Sequence, residues 1–135
     1  MTTVTVKSQM NASADAIWET LRGFDLKYLG GFPHQVKGSG VGATRTFDSG
    51  RGETLEKLEA LDDENRTLRY TIVYGTLPVE DYHATIRVFP GEGDSCELEW
   101  SAVFEPKGVD ETKAKEIVEG VFRFNIQALN RFHSP

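Results

Sequence analysis

Three observations predict an α+β fold: a long stretch with helical spacing near the C-terminal end, a run of alternating segments before it, and the turn residues between those segments. Within Val109–Phe132, Ala114, Ile117, Val118, Val121, Phe122, Asn125, Ala128, Leu129 and Phe132 recur at intervals of three and four, which puts them on one face of an α-helix. The alternating segments are separated by turns rich in Gly, Pro, Asp and Asn, the pattern of an antiparallel meander. Such a sheet can hide its apolar face only by curling around another element. The helix, about 35 Å long from Asp110 to His133 at roughly 1.5 Å per residue, is that element. A curved sheet gripping a long helix is therefore expected, with two short helices after the first strand and space for a pocket between the layers.

In chain order, Thr2 to Met10 alternates with Val4 and Val6 on one side and predicts a first strand. Asn11 and Ser13 offer caps for a short helix carrying Ala16, Ile17, Trp18 and Leu21, and Gly23 is placed to end it. Phe24 to Pro33 is apolar but irregular and reads as a second short helix and a turn. Strands are expected over His34–Ser39 and Val41–Asp48, divided near Gly40, followed by a tight turn at Gly50–Gly52 into Glu53–Leu61. Asp62–Asn65 is a turn by composition. Thr67–Tyr74 is rich in β-branched and aromatic residues, as strands are. A loop over Gly75–Asp81 leads to strands Tyr82–Phe89 and Cys96–Glu105, joined through Pro90–Asp94. Asp110 is the expected N-cap of the long helix, and Glu111 suits the positive end of its dipole.

The 135 residues are expected to form one domain, 1–135, large enough to bury a core without metals or disulfides. The single cysteine, Cys96, has no internal partner and no Cys/His cluster around it. Met1 leads straight into an alternating strand rather than a leader, and no apolar run reaches bilayer length. A cytoplasmic protein without a membrane span is the expectation. A net charge of −6 argues against nucleic acid as a partner. His34, His83 and His133 share no face, so no metal and no cofactor is expected.

Alternation also sorts the chemistry. Cys96, Leu98, Trp100, Ala102 and Phe104 share one face, as do Tyr82, Ala84, Ile86 and Val88, and Leu68, Tyr70, Ile72 and Tyr74. Two charges fall on faces that should be apolar: Arg45 between Ala43 and Phe47, and Glu56 in step with Leu58 and Ala60. A buried charge costs several kcal/mol unless paired, so the two are expected to answer each other. They form either a structural ion pair or the polar end of a cavity, with Glu56 as a base and Arg45 holding an oxygen. The tyrosines are either core aromatics or hydroxyl donors to a ligand. Cys96 reads as a small buried hydrophobe. Gly120, about 1 kcal/mol worse than alanine inside a helix, marks close packing or room for a ligand.

Ala16-Ile-Trp18, Val41-Gly-Ala-Thr-Arg45, Glu56-Lys-Leu-Glu-Ala-Leu-Asp-Asp63, Tyr70, Asp81-Tyr82 and Glu99-Trp100-Ser101 occur in an order spread over nearly the whole chain. With them the chain resembles the START-like, Bet v 1-like superfamily, and within it the polyketide cyclase/dehydrase and lipid-transport group. The resemblance implies a helix-grip fold with a hydrophobic cavity between the long helix and a seven-stranded sheet. Two plant groups carry similar motifs. In lachrymatory factor synthases the positions similar to Arg45 and Glu56 are regarded as catalytic. Abscisic acid receptors have pocket residues at the same places, a pocket lysine similar to Lys37, and a latch similar to the loop bearing Leu77 and Pro78. The Ser49–Gly52 turn is shorter than the receptors' gate loop and lacks its Leu-Pro pair, so the resemblance does not extend to hormone gating.

Together these readings predict a binder of a small, mostly hydrophobic molecule with an oxygen function. Ile72, Ile86, Trp100, Val118 and Phe122 would form its apolar wall. Lys37, Arg45, Glu56, Tyr70 and Tyr82 would supply the polar groups, and segments 24–33 and 75–81 the cover. The alternatives are a cofactor-free cyclase, dehydratase or isomerase using Glu56 and Arg45, and a protein-interaction domain with a filled pocket.

Overall fold

The computed structural model describes residues 1–134; Pro135, the end of the domain expected over 1–135, lies outside the described residues. Strands β1 (Thr2–Met10), β2 (His34–Lys37), β3 (Thr44–Asp48), β4 (Glu53–Asp62), β5 (Thr67–Tyr74), β6 (Val79–Pro90) and β7 (Cys96–Pro106) form one seven-stranded antiparallel sheet in the order β1-β7-β6-β5-β4-β3-β2. Helix α1 (Ala14–Arg22) follows β1, and the long helix α2 (Glu111–Phe132) closes the chain. The second short helix is a single 3-10 turn, Lys27–Leu29. No described helix is long and apolar enough to cross a membrane.

The caps act as expected. The Ser13 side chain accepts the Ala16 N–H at 3.1 Å, and Asp110 Oδ1 accepts the Lys113 N–H at 2.8 Å, each satisfying a donor the first helical turn leaves free. At the end of α1, however, Gly23 stays right-handed (φ −71°) and the left-handed residue is Phe24 (φ 58°). Positive φ is rare for a bulky side chain and stores local strain; it turns the chain so that Phe24 drops into the core, 2% exposed.

The core lies between α2 and the concave face. Ala114, Val118, Phe122, Ile126, Ala128 and Leu129 are the buried positions of α2. Ile126 was absent from the face read from the sequence. Phe132, expected inward, is 47% exposed. Gly120 marks neither packing nor a ligand: a Cβ there would meet nothing within 4 Å.

Register breaks in β4–β5 change which side chains face inward. Leu55 pairs with Tyr74 and Glu56 with Ile72, so Val73 is an extra residue in β5; Leu58 pairs with Tyr70 and Ala60 with Arg69, so Glu59 is an extra residue in β4. A bulge shifts the alternation of everything beyond it. Tyr74 and Ala60, expected on the concave face, are therefore exposed on the convex side, where the Tyr74 hydroxyl donates to Glu53. A third break, between Glu80 and His83 of β6, passes through Asp81 at φ 51° and keeps Tyr82 inward. Strand β6 also starts at Val79, which shortens the expected loop to residues 75–78.

Candidate functional site

A cavity of about 510 Å³ opens between the sheet, α2 and the segment after α1, within the usual range for small-molecule sites. Its polar end is built across β3 and β4, where Arg45 and Glu56 are register partners on the same face. Arg45 Nε donates to Glu56 Oε1 at 2.6 Å, with the side chains 7% and 10% exposed. The Arg45 guanidinium carbon lies 4.1 Å from the Phe24 ring centroid and 5.0 Å from that of Tyr70, so its faces are covered by aromatic rings. Among the described residues no buried side-chain nitrogen or oxygen is left without a partner. The terminal N–H groups of Arg45 and the second oxygen of Glu56, which make no hydrogen bond to protein, therefore open into the cavity both of these residues line.

Burial alone would pull the Arg45 guanidinium down, but the Glu56 carboxylate, by its charge and its hydrogen bond, holds the group above the ordinary arginine value. Arg45 is a permanent cation. Burial pushes the Tyr28 hydroxyl up to about 12 and raises Tyr70 and Tyr82 further, so all three stay neutral and able to donate hydrogen bonds. Trp100 Nε1–H donates to the Tyr70 hydroxyl at 3.1 Å.

The cover is pinned at two places. His34 Nε2 accepts the Leu26 N–H at 3.0 Å while Nδ1–H donates to the Phe32 carbonyl at 2.8 Å, folding segment 24–33 over the start of β2. The Tyr28 hydroxyl donates to Asn125 Oδ1 at 2.8 Å, and the Asn125 amide donates to the Val121 carbonyl, also at 2.8 Å. This ties the cover to α2.

Of the residues expected at the site, Arg45, Glu56, Tyr70, Ile72, Tyr82, Trp100, Leu77 and Pro78 line the cavity together. Ile86, Val118 and Phe122 do not. They are fully buried behind the wall, Ile86 as the register partner of Trp100 and Phe122 stacked on Trp100 at 5.4 Å. Lys37 is outside altogether: Val36 is the partner of Arg45, so Lys37 pairs with Thr44 on the opposite face and is exposed. Phe47 and Thr54 also line the cavity; they sit two residues from Arg45 and Glu56, where alternation would have found them. Phe124, at the mouth and 60% exposed, lies off the apolar face of α2 and carried no such signal. No group of three or more His, Cys, Asp or Glu among the described residues could hold a metal ion.

The pattern of the polyketide cyclase / dehydrase and lipid transport family matches residues 1–131. The chain belongs to this family. It is 28% identical to the abscisic acid receptor PYL2 of Arabidopsis thaliana over 92% of this chain and 73% of the receptor. Its fold is similar to that of the XoxI protein of Bacillus cereus, with a TM-score of 0.83, 26% identity and coverage of 97% of this chain and 94% of the other. Norcoclaurine synthase of Thalictrum flavum, in complex with dopamine and hydroxybenzaldehyde, superposes with a TM-score of 0.76 at 25% identity over 98% of this chain and 88% of the synthase. These neighbours fit the Bet v 1-like superfamily, and the helix-grip architecture is common to them. Family and neighbours together point to a domain that binds hydrophobic ligands.

Proposed function

We infer that the family's ligand-binding role takes a definite form in this protein: a small, mostly apolar molecule held by an oxygen function at the Arg45–Glu56 pair. One observation carries this reading. A buried ion pair leaves N–H donors and a carboxylate oxygen facing an otherwise largely apolar cavity, and desolvated charged donors of this kind make strong hydrogen bonds to a ligand. Leu26, Ile72, Trp100 and Val121 supply apolar contact. Arg45 would donate to the ligand oxygen and Glu56 would accept its hydroxyl or enol proton. Two relatives, a receptor for abscisic acid and a synthase complexed with dopamine and hydroxybenzaldehyde, support small oxygen-bearing organic molecules as the class.

The open oxygen of Glu56 beside the Arg45 donors also favours a second reading, in which Glu56 shuttles a proton while Arg45 stabilises negative charge on oxygen. Substitution separates the two. Glu56→Leu strands a buried cation and is expected to cost about 3 kcal/mol in urea unfolding. Adding Arg45→Met should recover most of that stability. The double variant should still bind hydrocarbon probes but lose roughly tenfold or more in affinity for oxygen-bearing ones, the worth of a charge-assisted hydrogen bond. Unchanged affinity in the double variant would reduce the pair to a structural element. A Glu56→Gln protein that binds normally but no longer converts a ligand found by native mass spectrometry would establish the catalytic reading.

A further inference from the structure

The cavity differs in sign from the rest of the molecule. The charged residues lining it are Arg45, Glu56 and Arg51, two positive and one negative, in a chain whose net charge is −6. Arg45 and Glu56 cancel each other at the buried end. Arg51 does not cancel. It stands in the turn between β3 and β4, exposed at the mouth, and joins no ion pair among the described residues. The acids beside it in the turn neither form an ion pair with it nor line the cavity. Asp48 Oδ1 accepts the backbone N–H groups of Gly50 and Gly52, at 2.7 and 3.4 Å, and Glu53 accepts the Tyr74 hydroxyl.

The two ends therefore ask for different chemistry. The inner pair is neutral as a unit and presents donors and an acceptor side by side, which suits an uncharged group able to both give and accept a hydrogen bond. A full charge there would leave one partner of the pair opposed. The mouth, where Arg51 is the one charged residue lining the cavity besides the inner pair, suits an anion.

We propose that the ligand is a monoanionic amphiphile, with a carboxylate or similar anion at Arg51 and an uncharged hydroxyl, enol or amide oxygen at Arg45–Glu56. This rests on the cavity being a ligand site, as inferred above. Amines of the same shape are selected against by the like charge of Arg51.

The test uses three probes sharing one aromatic body, naphthylacetic acid, naphthylacetamide and naphthylethylamine, titrated by calorimetry into the full chain and into Arg51→Gln at neutral pH. The acid should bind about fivefold more tightly than the amide, the size of a partly exposed ion pair, and the amine most weakly. Rising salt should weaken the acid and leave the amide unchanged. In Arg51→Gln, a surface-turn variant expected to fold normally, the acid should fall to the affinity of the amide while the amide is unaffected. An acid no tighter than the amide, or a preference that survives Arg51→Gln, overturns the assignment of charge selection to Arg51 and leaves the ligand site standing. Failure of all three probes to bind the folded protein overturns the ligand site itself, and this assignment with it.

Discussion

The two halves of the sheet are built differently. From β1 through β7 to β6 the ladder between β1 and β7 runs unbroken from Thr2–Phe104 to Met10–Cys96, and every fully buried inward position is apolar except Thr2. Helix α2 rests mainly on β1, with β7 and the 3-10 turn beside it, and α1 packs on β6. From β5 to β2 the ladder has two register breaks and short outer strands, and its buried inward positions include Arg45, Thr54 and Glu56. Where the helix lands, the layers interlock and only apolar side chains are tolerated, since a buried polar group without a partner costs more than its packing returns. Where the sheet curves away, a cavity remains, and there a paired charge has room.

The largest effect that would break this contrast is a truncation in the interlocked half. Phe104→Ala, at a fully buried position, is expected to lose about 3–5 kcal/mol in urea unfolding. Ile72→Ala, on the partly exposed cavity wall, should lose less than half of that, because its side chain already borders open space. Equal losses would mean that the cavity half is packed as tightly as the other.

Gly120 sharpens the contrast from the side of α2. It is exposed and a Cβ there meets nothing, so Gly120→Ala should raise stability by about 1 kcal/mol from helix propensity alone, read as an increase in Tm. A loss would indicate that α2 needs the glycine to approach the sheet.

The smallest effect concerns the ion pair outside the core. Asp63 accepts hydrogen bonds from Arg22 Nε at 2.7 Å and Trp18 Nε1 at 2.9 Å, latching α1 to the β4–β5 turn. Its hydrogen bond from Arg22, and then that from Trp18, holds its carboxyl down at about 2. Because the folded value lies below the unfolded one, the contribution is present above about pH 4 and is lost as pH falls through about 2. The Tm gap between wild type and Asp63→Asn should be small at neutral pH, as for exposed pairs, and should close across that window. A gap independent of pH would make the latch one of shape rather than charge.

Much of the fold was readable because it depends on local periodicity. Ser13 and Asp110 as caps, the alternation of β7 and the three- and four-residue spacing of α2 follow from short-range geometry that any chain with those residues obeys. Arg45 and Glu56 were found because a charge on an apolar face is conspicuous in sequence. The misplacements trace to events that alternation cannot foresee. Single-residue bulges at Val73 and Glu59 turned Tyr74 and Ala60 outward, and the register of β2 against β3 carried Lys37 to the far face. Whether Ile86, Val118 and Phe122 touched the cavity or lay behind its wall depended on where α2 settles across the sheet.

Strand and helix identities, the helix-grip architecture and the pairing of two opposite charges were determined by the sequence itself, because period, capping and the cost of a buried charge act over a few residues. The extent of the cavity, the residues that face it and the lone charge of Arg51 at its mouth were decided only in the tertiary structure. They depend on bulges, on the reversal at Phe24 and on the distance between two layers, which contacts far apart in the chain determine together.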